Sequence, residues 1–87
     1  MGLIKVSSTS RSSAVAGAIA AVIRENNCAE VQAIGAGAVN QAVKSLILAN
    51  QFLLLDGINV IFVPEFCEVS IEEQTRTAVK LIVKRAS

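Results

Sequence analysis

Val31-Gln32-Ala33-Ile34-Gly35-Ala36-Gly37-Ala38-Val39-Asn40-Gln41-Ala42-Val43-Lys44 decides how this chain is read. An apolar strand ends at Ile34, a Gly35-Ala36-Gly37 turn follows, and a helix opens at Ala38. Small residues between a strand and a helix leave backbone N–H groups bare at the helix N-terminus, which suits an anionic group such as phosphate. The same small residues let a helix pack closely on a sheet. Both readings of Gly35 and Gly37 stand at this point.

Outward from that turn, the chain alternates strand and helix signals. Leu3–Val6 reads as a short apolar strand, followed by the hydroxyl-rich loop Ser7-Ser8-Thr9-Ser10-Arg11-Ser12-Ser13 with several candidate helix caps. Helix one runs to about Glu25, with Val15, Ala18, Ile19, Val22 and Ile23 as its core stripe, and Asn26-Asn27 ends it. Strand two is Glu30–Ile34. Helix two carries a buried stripe of Val39, Ala42, Val43, Leu46 and Ile47, opposite Asn40, Gln41, Lys44 and Ser45. Asp56-Gly57 marks a turn into the apolar strand Ile58–Val63. Pro64 should interrupt the ladder there, leaving Glu65–Ile71 extended but less regular. A hairpin across Ser70–Gln74 should project from the body and lead into a last strand, Thr75–Lys84. The resulting order, β-α-β-α-β-β, predicts an α/β two-layer sandwich on a mixed sheet, in one domain spanning 1–87.

Composition narrows the function. The chain is 53% apolar, and counting glycine brings it to about 59% against a usual 45–50%. The longest apolar run, Ala14–Ile23, is too short to span a membrane. No secretory signal opens the chain. A homodimer or higher homo-oligomer in the cytoplasm, burying the surplus between subunits, is therefore expected. Cys28 and Cys67 have no histidine to complete a metal set, so reduced buried thiols and no metal site are expected.

A dinucleotide fingerprint fails, because Asn40 stands where the third glycine is needed and Asp56 precedes its strand. No serine or cysteine has an evident base partner, so the reading is non-enzymatic, without a cofactor. Net charge is only +1, but it is unevenly spread. Residues 45–75 contain no base and carry Asp56, Glu65, Glu68, Glu72 and Glu73, whereas Arg76, Lys80, Lys84 and Arg85 follow. Phe52, Phe62 and Phe66 lie in apolar settings, which argues against an aromatic platform for stacked bases.

Leu3-Ile4-Lys5-Val6-Ser7, Ser13–Ala18, Gln32–Lys44 and Thr77–Val83 closely resemble the stage V sporulation protein S family. That family is similar to the Alba group of chromatin and RNA-binding proteins, which share the β-α-β-α-β-β order. The resemblance implies an Alba-like dimer that contacts DNA or RNA and acts in sporulation or developmental control. It implies contacts from the first strand–helix loop (Ser10, Arg11, Ser12), the start of helix two (Gly37, Asn40, Gln41, Lys44) and the hairpin (Arg76). Gly35 joins these as a source of backbone hydrogen bonds, and phosphates would be bound with little sequence preference. The hairpin departs from the Alba pattern: Glu65, Glu68, Glu72 and Glu73 replace basic residues. This motivates an alternative, a non-catalytic interaction or scaffold module that captures a basic protein partner on the acidic hairpin.

Overall fold

The computed structural model describes residues 2–86. Its elements run β1 (Gly2–Val6), α1 (Ser12–Asn26), β2 (Cys28–Ala33), α2 (Ala36–Leu55), β3 (Val60–Ile71) and β4 (Gln74–Arg85). The four strands form one mixed sheet in the order β1-β2-β4-β3. β1 and β2 are parallel, and the other two pairings are antiparallel. The expected α/β two-layer sandwich is what forms.

Alternation sorts the strands into two faces. Ile4, Val6, Ala29, Val31, Ala33, Val79, Leu81, Val83, Val60 and Phe62 point to the helices and build the core with Ala16, Ile19, Ala20 and Ile23 of α1. From α2 the core takes Ala38, Ala42, Leu46, Ala49 and Leu53. The run of alanines is what lets two helices lie close to each other and to one sheet face.

Helix boundaries follow from their caps. Asn27, at φ 65°, takes the left-handed conformation that closes α1 and donates its N–H to Ile23 O at 2.9 Å. α2 ends in a Schellman motif. Gly57 (φ 72°) donates to Leu54 O at 3.0 Å, and Ile58 donates to Leu53 O at 2.9 Å. Ile58 is buried with Leu53 as the motif's apolar pair, so the strand starts two residues later than its apolar run. Asp56 is a structural residue, ion-paired with Arg24 at 2.8 Å.

Three expectations give way. Pro64 does not interrupt β3, whose register runs unbroken from Val60↔Arg85 to Ile71↔Gln74. β3 is an edge strand, and a proline is tolerated there when its nitrogen faces the free edge rather than the ladder. The core stripe of α2 is rotated from the one expected, keeping Ala42 and Leu46: Val43 and Ile47 are exposed, and Ser45 is fully buried, its Oγ donating to Gln41 O at 2.7 Å. In α1 likewise Ala16 and Ala20 are buried, while Ala18 is exposed. Helices this apolar on several sides give no single periodic stripe, so only the neighbours decide which side is covered.

Five register pairs, Cys67↔Ala78 to Ile71↔Gln74, extend beyond the last β2–β4 pair, Ala33↔Val79. They form an arm about 17 Å long at ~3.4 Å per residue. The arm does not simply project. Val69, Ser70 and Ile71 share a groove with Leu3 and Lys5 of β1.

Candidate functional site

β1 and β2 both end at one edge of the sheet, and both loops that follow them lie there. The first loop folds on its own hydroxyls. Ser7 N–H donates to Ser10 Oγ at 2.9 Å, and the Ser7 hydroxyl lies 3.1 Å from Thr9 Oγ1. Arg11 is the N-cap of α1 with extended backbone and an exposed side chain, and its carbonyl accepts from Val15 N–H at 3.0 Å. Ser12 is the first helical residue and half-buried.

The second loop is only Ile34 and Gly35. Gly35 has φ 89° and ψ 157°, a conformation essentially confined to glycine, and it is the N-cap of α2 without a side-chain cap. α2 therefore begins at Ala36, two residues before the expected start, and Gly37 belongs to its first turn. The reason for Gly37 is clearance: a Cβ there would lie 3.0 Å from Ser8 Cβ. No acidic residue occupies this turn. The first N–H groups of a helix have no intrahelical acceptor, and they carry the positive end of the helix dipole.

One hydrogen bond joins the two loops. Gln41 Nε2 donates to Ser10 O at 2.7 Å across 31 residues of sequence. Reading the sequence alone treats Gln41 as a ligand-facing amide. Its amide N–H instead ties the Arg11 loop to α2, a role that only the spatial neighbourhood reveals. Asn40 and Lys44 are both exposed one turn apart, on the same side of α2. Ser10, Arg11, Ser12, Gly35, Gly37, Asn40 and Gln41 thus gather at one end of the sheet, with Lys44 a turn along. Arg76 is exposed on the arm, paired in register with Val69, which shares a groove with Ser7, Ser8 and Ile34 of the two loops.

The acidic residues do not form one patch. Glu65 Oε1 accepts an ion pair from Lys80 Nζ at 3.1 Å, on the sheet face away from the helices. Glu68 is on the opposite face, and Glu72 and Glu73 form the turn at the tip. The hydrogen bond to Glu65, then the negative charges of Glu30 and Glu65, raise the Lys80 pKa above the ordinary lysine value. Among the described residues there is no group of three or more His, Cys, Asp or Glu side chains able to hold a metal ion. Cys28 and Cys67 are free thiols, both half-buried.

The aromatic residues correct one expectation. Phe66 is 80% exposed rather than set in an apolar surrounding. It points to the helix side of β3, beyond the reach of the helices, where Pro64, Glu65, Phe66 and Val79 line a shallow recess of about 350 Å³. Val43, Ile47 and Leu54 are also exposed along one side of α2. No helix among the described residues is long and apolar enough to cross a membrane.

Comparison with solved structures finds the same architecture in Alba from Thermoplasma volcanium. The two superpose with a TM-score of 0.67 over 95% of this chain and 99% of that one, at 13% identity. The shared fold is Alba-like. A family model described as stage V sporulation protein S (SpoVS) matches residues 2–86, so the chain belongs to the SpoVS family.

Proposed function

We propose that this chain is a non-catalytic, cytoplasmic nucleic-acid-binding regulator that works as a homodimer and grips the phosphate backbone with little sequence preference. One observation carries the reading: the Gln41–Ser10 hydrogen bond holds the Arg11 loop against the open N-terminus of α2. Arg11 and Lys44 supply charge. The first-turn N–H groups and Asn40 supply hydrogen bonds to phosphate oxygens.

Two cations per chain are few for this task, and the dimer supplies the remedy. Val43, Ile47 and Leu54 of α2, with Phe66 and Pro64 of β3, leave an apolar surface that a second copy would cover. A two-fold axis there doubles each group. Membership of the SpoVS family supports a role in sporulation or a related developmental programme. The alternative, a protein-interaction module on the acidic hairpin, loses support because Glu65 is engaged by Lys80 and the other acids face different ways.

Fluorescence anisotropy with duplex DNA, single-stranded DNA and RNA at several salt concentrations tests the proposal. Binding should weaken with salt at a log–log slope of about −0.9 per neutralised phosphate on duplex DNA. Lys44→Glu should abolish binding without unfolding the protein, since Lys44 is exposed and has no ion pair among the described residues. Absence of binding to all three probes at low salt would sink the reading.

A further inference from the structure

A concavity borders the candidate nucleic-acid site, sharing Ser7, Ser8 and Ile34 with its two loops. It lies between the arm and the sheet face that carries no helix. Leu3, Ile34, Val69 and Ile71 form apolar walls, and the volume of about 490 Å³ falls within the range of small-molecule sites. We infer that this groove binds a small amphipathic anion, an apolar body with a carboxylate or phosphate head, with the head on Lys5 and the body between Leu3 and Val69–Ile71.

The arm is built for an apolar occupant. On its β3 strand the side toward the groove carries Cys67, Val69 and Ile71, paired with Ala78, Arg76 and Gln74 of β4, and the other side carries Phe66, Glu68 and Ser70. Hydrophobic residues at 42% exposure for Ile71 and 50% for Leu3 face a common space that the chain itself leaves unfilled. Closing that space on a ligand removes apolar surface from water, the general driving force for such binding.

The head group follows from charge. Lys5 is the one ionisable residue that lines the groove, and it has no ion-pair partner among the described residues. Of the acids on that sheet face, Glu65 is ion-paired with Lys80. Gln32, the register partner of Lys5, and Ser8 add uncharged hydrogen-bonding groups to the lining. The groove meets the nucleic-acid site at Ser7, Ser8 and Ile34, but its proposed contacts, Leu3, Lys5, Val69 and Ile71, are not residues of that site, so either reading can fail without the other.

Titration of the isotope-labelled full chain with octanoate, octyl phosphate and octylamine, followed by amide NMR without nucleic acid, tests this. Saturable shifts are expected at residues 3–8, 32–34 and 69–71 with one or both anions, and the tighter anion identifies the head group. Octylamine should bind much more weakly. Lys5→Gln should weaken anion binding roughly tenfold, the loss of one charge-assisted hydrogen bond, and Val69→Asp should abolish it while the other resonances stay in place. If Val69→Asp unfolds the chain, Lys5→Gln, on an exposed side chain, decides alone. Equal binding of octylamine, insensitivity to Lys5→Gln, or shifts confined to Val43–Leu54 and Phe66 would overturn the inference.

Discussion

Gln41 shows how one side chain changes meaning between sequence and structure. Its position on helix two is readable from spacing, yet its partner, Ser10 O, lies 31 residues away and no periodicity points to it. Gln41→Ala should cost about 1 kcal/mol in chemical unfolding, and it should weaken nucleic-acid binding by freeing the Arg11 loop. Unchanged binding would show that the loop position does not matter. Lys80 gives a second test at this scale. Its folded pKa lies above the unfolded value, so its contribution to stability is complete below about pH 10.4 and is lost as pH rises through the higher folded value. In Lys80→Met the pH dependence above that point should flatten. The difference in unfolding free energy between parent and variant, followed from pH 9 to 12, measures it.

The elements themselves were mostly legible. Asn27 and Gly57 announce their helix ends because each supplies a left-handed residue at low cost, and both occupy that conformation. Pro64 misled because a proline reads as a break until the strand is known to lie at a sheet edge. The β3–β4 turn carries a different signal. Glu72 and Glu73 have φ values of 49° and 65°, a region that costs an ordinary residue roughly 1–2 kcal/mol. Glu73→Gly should therefore stabilise the chain by about 1 kcal/mol and raise Tm by about 5 °C. A Tm that falls or stays constant in differential scanning calorimetry would show that the tip gains something from Glu73 that offsets its backbone.

At the scale of the whole molecule, the surplus of apolar residues is resolved into places. Part of it fills the core between helices and sheet. The remainder is exposed in several places: Val43, Ile47 and Leu54 on one side of α2, Phe52 and Leu55 elsewhere on it, Phe66 on the helix side of β3, Ile61 and Val63 on its other side, and Leu3 and Ile71 at the arm groove. A proposed dimer through Val43, Ile47 and Leu54 makes a direct prediction. Ile47→Asp would bury an unpaired carboxylate between subunits at a cost of several kcal/mol, more than about a hundredfold in dissociation constant. Sedimentation equilibrium should then find a folded monomer where the parent is a dimer. A variant that still dimerises would place the subunit contact elsewhere.

By itself the sequence determined the order of elements, the mixed sheet, the helix ends and the family, because these rest on local chemistry: alternation, helical spacing, and residues that tolerate left-handed backbone. Tertiary structure alone decided the strand order β1-β2-β4-β3 and which sides of α1 and α2 are covered. It also decided the Gln41–Ser10 tie, the splitting of the acids by Lys80, and the return of the arm over β1. The physical reason is common to all of these. Each depends on contacts between residues far apart in the chain, and in helices rich in alanine and valine on several sides, periodicity cannot say which neighbour a side will meet.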